Sequence, residues 1–137
     1  MIEFSGIDVV AQRQMSDVHV RRALAAALGV PEQRAALIDD MIDYPDPGAA
    51  DVVCVSSPVG GEFASLLSIQ TGRLELPYGT HMELVQRLCD LLQTQCLVPH
   101  ADVDPYVMWL IAPGASPRKV ALDPTALDEG RYLIAHC

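Results

Sequence analysis

The sequence predicts an α+β domain in which a mostly antiparallel sheet packs two main helices on one face. Three observations carry that expectation. Two segments alone combine helical periodicity with a capping residue; a larger number of short β-rich runs follow each helix, separated by Pro- and Gly-bearing turns. Half of the 137 residues are apolar, and a chain of about 140 residues buries roughly two-thirds of its unfolded surface, so one domain spanning 1–137 is expected without disulfide or metal staples.

Residues 2–10 are β-rich and read as the first strand. Ser16 is then a good N-cap for a helix to Leu28: Asp17 lies in its first turn, Val20, Leu24 and Leu28 recur every four residues, Gly29 supplies the C′ position and Pro31 forbids continuation. Residues 34–42 suit a strand or a short second helix, and their length favours strand. Tyr44-Pro45-Asp46-Pro47-Gly48 is a turn cluster. The run Val52-Val53-Cys54-Val55 is apolar on both faces, which implies a central strand. Pro58-Val59-Gly60-Gly61 turns the chain into residues 62–70, giving an antiparallel hairpin. These glycines serve the turn, because a phosphate-cradling loop leads into a helix and usually carries a Lys.

Thr80 and Glu83 have capping-box spacing, and Leu84, Val85, Leu88, Leu91 and Leu92 form an apolar stripe out to Thr94. Three β segments follow, at 96–98, 106–112 and 118–122. Asp123 caps one helical turn with Pro124 at its N1 position, Gly130 ends that turn, and 131–136 is a last strand. The order helix-strand-strand-strand thus occurs over 16–70 and again over 80–136, which suggests an α-β-β-β duplication at the level of architecture, without residue identity between the halves.

Charge narrows the classes of partner. Eighteen Asp and Glu face nine Lys and Arg, a formal charge of −9. No basic residue lies between Arg34 and Arg73, where Asp39, Asp40, Asp43, Asp46, Asp51 and Glu62 all fall; the stretch from Leu88 to Pro117 also lacks Lys and Arg and holds Asp90, Asp102 and Asp104. Nucleic acid is repelled by such a surface. The first eight residues have no basic n-region, Glu3 and Asp8 interrupt any apolar h-region, and the longest uncharged apolar stretch, 23–30, is far short of a membrane span. A cytoplasmic protein that avoids membranes is expected.

Cys54, Cys89, Cys96 and Cys137 show no CxxC pair and no zinc spacing. Placed seven apart on one helix, Cys89 and Cys96 would be about 10 Å apart along the axis, too far for a disulfide. They read as core thiols in a reducing compartment. His100, Asp102 and Asp104 alternate between Pro99 and Pro105, and in an extended segment would point one way; a solvated polar loop is the preferred reading over a metal or acid–base site, since no second ligand cluster accompanies them. No metal and no cofactor is expected. Ser56, Ser57, Ser65 and Ser68 lie in no GxSxG elbow, and Asp39 and Asp40, adjacent in a strand, would face opposite ways. Catalysis is unsupported.

A small, strongly acidic α+β chain with acid-only stretches at 39–62 and 90–104 and no catalytic motif resembles the immunity proteins that protect bacteria from their own polymorphic or contact-dependent toxins. The resemblance implies a non-enzymatic protein, a monomer or homodimer, that neutralises a basic toxin domain by one-to-one binding. Asp39, Asp40, Asp43, Asp46, Asp51, Asp102 and Asp104 would steer the cationic partner, with Tyr44, Tyr106 and Trp109 as anchors. The chain is also similar in size and acidity to type III secretion chaperones, an alternative that implies a dimer binding an extended effector segment. Its many strands, and the lack of a third helix after Tyr132, depart from that pattern.

Overall fold

The computed structural model describes residues 1–99 and 104–135. In chain order the elements are β1 (Ile2–Ala11), α1 (Asp17–Leu28), β2 (Ala35–Ile38), β3 (Val52–Pro58), β4 (Gly60–Gly61), β5 (Ser65–Leu76), α2 (His81–Leu92), β6 (Cys96–Pro99), β7 (Val107–Ile111), β8 (Arg118–Ala121), α3 (Pro124–Asp128) and β9 (Arg131–Tyr132). Seven strands form one sheet in the order β2-β3-β5-β1-β6-β7-β8, parallel between β2 and β3 and antiparallel elsewhere; β4 and β9 pair in parallel as a separate ribbon. The fold is α+β, as expected.

Both long helices start and stop where their capping residues direct. The Ser16 side chain accepts from His19 N, and Gly29 ends α1 in the left-handed region at φ 68°. Thr80 accepts from Glu83 N, while the Glu83 carboxylate reaches back to Gly79 N at 2.7 Å, so the capping box closes one residue before the cap. α2 stops at Leu92, short of Thr94, because Gln93 adopts φ 56° and donates its N–H to Cys89 O.

The helices and the sheet share one core. Leu24, Ala27 and Leu28 of α1 and Leu84, Val85, Leu88 and Leu92 of α2 meet Phe4, Val9, Cys54, Leu67, Ile69 and Val98 from the strands. Residues packed here pass from even numbers in β1 (Ile2, Phe4) to odd ones (Ile7, Val9, Ala11) across a register shift between Phe4 and Gly6. Gly6, at φ 146°, is required there: a Cβ would lie 2.7 Å from Ile69 O. On the opposite face Val10, Leu97, Leu110, Val120 and Leu122 form a second cluster with Phe63, covered by Leu127, Tyr132 and Ile134.

Several segments depart from the expected boundaries. Residues 34–42 hold both alternatives in miniature, a strand at Ala35–Ile38 between two 3₁₀ turns, Glu32–Arg34 and Met41–Asp43. The Asp40 carboxylate accepts from Ile42 N and so competes with continuation of the ladder. β3 is buried at Val52, Val53 and Cys54, yet it lies second from the edge, and β1 holds the centre. β5 runs on to Leu76, beyond residue 70, because Ile2, Glu3 and Phe4 pair with Leu76, Glu75 and Leu74. The last strand contracts to Arg131–Tyr132 plus a bridge from Ile134 to Leu122. Each half does present a helix and three sheet strands, but the first two strands of the N-terminal half are parallel (β2, β3) and those of the C-terminal half antiparallel (β6, β7).

Candidate functional site

The acidic segment between β2 and β3 is built from a cap, a turn and a clamp. Beyond Ile38 the Asp40 side chain caps the 3₁₀ turn Met41–Asp43, and Tyr44 N donates to Met41 O at 3.1 Å. With no ladder to join and no core beneath, the turn leaves Met41 58%, Ile42 85% and Tyr44 42% exposed. The Tyr44 hydroxyl donates to Gln70 Oε1 at 3.1 Å, so the chain crosses over β3 and β5 on the face away from α1. Arg34 then closes the crossover: Nη1 donates to Ala49 O (3.0 Å), Nη2 to Gly48 O (2.8 Å) and to Asp51 Oδ1 (3.1 Å), and Nε to Asp51 Oδ2 (3.3 Å). The hydrogen bonds that the guanidinium donates to Asp51, and secondarily the charge of that carboxylate, hold Arg34 more firmly protonated than usual.

Among the described residues no ion pair involves Asp39, Asp40, Asp43 or Asp46, whereas Asp51 is engaged by Arg34. Two hollows flank the segment. One, of about 520 Å³, opens where β2 and β3 end and α1 begins, lined by Leu37, Ser56, Pro58 and Ser65 and rimmed by Asp17, Asp39 and Asp43. The other, of about 490 Å³, lies under residues 44–51 against Val53 and Gln70. A carboxylate rim around a partly apolar hollow favours a cationic side chain over an anion.

The remaining expected contacts lie elsewhere. Asp104 caps a turn through Tyr106 N (2.9 Å) ahead of β7, and Trp109 lies within β7, paired with Val98 and Lys119. β7 is five strand spacings from β2, about 24 Å. The acidic and aromatic residues therefore form two separate regions at opposite ends of the sheet: Asp39, Asp40, Asp43, Tyr44, Asp46 and Asp51 at one, Asp104, Tyr106 and Trp109 at the other. Tyr106 and Trp109 are only partly exposed, Tyr106 packed on the second cluster and Trp109 on the first. His100 and Asp102 lie outside the described residues. Among the described residues no group of three His, Cys, Asp or Glu is placed to hold a metal ion.

Reading 34–42 as a continuous strand missed Met41 and Ile42 as surface residues. The available signal was Asp40 two residues before Ile42, the spacing at which an Asp side chain bonds the backbone and ends a strand. The Cys89–Cys96 separation also needs correction. Cys96 is the first residue of β6, not part of α2; the chain reverses at Gln93 and brings the two buried thiols within hydrogen-bonding distance. That hydrogen bond, together with burial, pushes the Cys96 thiol well above its ordinary pKa, and burial, aided by Asp17, pushes Cys54 up to about 12. Cys54, Cys89 and Cys96 are free thiols, and none has the electropositive setting of a nucleophile.

No helix among the described residues is long and apolar enough to cross a membrane. Comparison of the chain with protein-family models, with curated proteins and with solved structures finds no match.

Proposed function

We propose that the chain is a non-enzymatic binding protein that neutralises a basic protein domain by direct one-to-one contact, in the manner of small acidic immunity proteins. One observation carries this reading: the Asp40-capped turn presents Met41, Ile42 and Tyr44 to solvent inside a set of unneutralised carboxylates, Asp39, Asp40, Asp43 and Asp46. Apolar and aromatic anchors within a charged rim are the arrangement of an interface hot spot. The charge supplies steering and register, and the anchors supply residence time. Asp104, Tyr106 and Trp109, about 24 Å away across the sheet, would contact the same partner only if it were wide enough to span both ends.

The test is to express any basic toxin domain found encoded beside the gene, measure its binding to the purified chain, and repeat with Ile42→Arg. A like charge in place of the most exposed anchor is expected to speed dissociation at least tenfold, with the thermal midpoint retained. Unaltered dissociation would remove the Met41–Tyr44 turn from the interface. A neighbouring effector gene in place of a toxin gene, with binding of an extended effector segment, would establish the secretion-chaperone alternative instead.

A further inference from the structure

We infer that β2 is a self-pairing edge, through which two copies of this chain join their sheets antiparallel about a two-fold axis at Leu37. The inference is independent of the partner read from the acidic turn, because it rests on the backbone groups of β2.

The two edges of the seven-stranded sheet are unlike. β8 carries Arg118 and Lys119, both exposed, directly after Pro117, the charged and proline-marked edge that discourages pairing. β2 is Ala35-Ala36-Leu37-Ile38, with no charged side chain in the strand. β2 is the terminal strand, paired only with β3, and the crossover that follows it passes over the face of β3 and β5.

The open backbone groups are self-complementary. Arg34 O accepts from Asp51 N at 2.7 Å, so by the alternation of a strand residues 34, 36 and 38 direct their polar groups to β3, and residues 35, 37 and 39 direct theirs outward. The Ala35 N–H is already used by Glu32 O. What remains is the C=O of Ala35, both groups of Leu37 and the N–H of Asp39, and none has another backbone partner among the described residues. A two-fold axis at Leu37 satisfies these four groups and leaves the Asp39 C=O to solvent. Leu37 N–H and C=O exchange with those of Leu37 in the second copy, and each Asp39 N–H meets the Ala35 C=O opposite. The one position in this register with a donor missing, Ala35, is the one whose N–H is occupied within its own chain. Leu37, half-buried at the margin of the core, gains its counterpart as a cross-strand neighbour. In the same pairing the Asp39 end of each strand faces the Arg34 end of the other, where Arg34 is already engaged by Asp51, so the backbone groups and Leu37, not charge, supply the attraction.

A four-residue edge makes a small interface, and interfaces under about 1,200 Å² are weak. Sedimentation velocity of the full chain at protein concentrations up to about 0.5 mM is therefore expected to show a reversible monomer–dimer equilibrium with a Kd above about 1 μM. Because each copy carries −9, the dimer should tighten as salt rises from about 50 to about 500 mM, over which the Debye length contracts about threefold. Leu37→Lys sets like charges face to face across the axis and should leave only monomer, with the circular dichroism spectrum retained. Leu37→Cys under mild air oxidation should give a covalent dimer on a non-reducing gel, while Ala121→Cys on the β8 edge should not. A native chain that stays monomeric throughout and yields no Leu37→Cys cross-link overturns the inference. So does a dimer unaffected by Leu37→Lys or cross-linked equally at position 121. If Leu37→Lys fails to fold, the two cysteine variants decide.

Discussion

Arg34 and Asp51 stand at the two ends of a crossover and hold each other twice, the side-chain fork on the carboxylate and Asp51 N–H on Arg34 C=O at 2.7 Å. The same guanidinium gathers the carbonyls of Gly48 and Ala49, so one side chain determines where residues 44–51 lie. The base that closes the acid-only stretch at its N-terminal end thus neutralises the stretch's last Asp and leaves the others free to act outward.

Replacing Arg34 by Lys should release this segment without unfolding the sheet, because a single ammonium cannot reproduce the forked contact with a carboxylate and two carbonyls. Limited proteolysis is expected to cut within residues 44–50 faster than in the parent, while the urea midpoint moves little. An unchanged cleavage rate would show that the crossover is held by Tyr44 and its bond to Gln70.

Changing Asp39, Asp43 and Asp46 together to Asn should slow association with a basic partner and flatten its salt dependence, since exposed charges act within a Debye length of about 8 Å at physiological salt. All three are exposed, so stability should stay within about 0.5 kcal/mol per substitution. Stopped-flow association at several ionic strengths reads the effect. An unchanged rate with no salt effect would reduce this face to a solubility device.

The Cys54 thiol supplies a pH test. Its folded pKa is raised to about 12 by burial and by Asp17, against an ordinary value of 9.0. Below pH 9 the thiol is protonated in both folded and unfolded chains, and stability is insensitive to it. Between pH 9 and 12 only the unfolded chain ionises, so stability falls as pH rises, by up to about 1.4 kcal/mol per pH unit for each such thiol. Urea midpoints from pH 8 to 11 should decline in the parent and decline less steeply in Cys54→Val. In the native protein at pH 8, Cys54, Cys89 and Cys96 should be silent to Ellman's reagent and react on unfolding, because all three are buried.

Gly6→Ala should destabilise the domain by about 1–3 kcal/mol, since the new methyl meets Ile69 O at 2.7 Å and φ is positive. Gly72→Ala, where nothing lies within 4 Å, should stay within about 0.5 kcal/mol. Paired denaturation curves decide; equal effects would mean that the β1–β5 irregularity tolerates a side chain.

What could be read from the chain was what is encoded locally. Ser16 with Gly29, Thr80 with Glu83, and Asp123 with Pro124 each mark an element end through bonds made within a few residues, and the structure has all three caps. The hairpin of β3 and β5 was readable for the same reason, since a Pro- and Gly-rich turn joins them. What depended on sheet order was not readable. No pattern in β1 announces that it pairs with both β5 and β6, and without that order the separation of Asp39–Asp46 from Tyr106 and Trp109 is invisible. The proximity of Cys89 and Cys96 is hidden in the sequence because one left-handed residue, Gln93, reverses the chain between them. Met41 and Ile42 look like strand continuation unless the competing carboxylate of Asp40 is weighed.

The placement of β1 bears on how the chain reaches this structure. The strand that comes first in the sequence is flanked by two that come later, so Val10 waits for Leu66 on one side and Leu97 on the other. Contacts this distant require large loops to close before they are rewarded, which puts refolding among the slow, millisecond-to-second cases. Until β5 and β6 arrive, both edges of a ten-residue strand that carries Phe4, Ile7, Val9 and Val10 stand open, the condition under which chains aggregate. The carboxylates that mark the finished surface are there from the start, and their mutual repulsion keeps incomplete chains apart while the centre of the sheet waits for its neighbours.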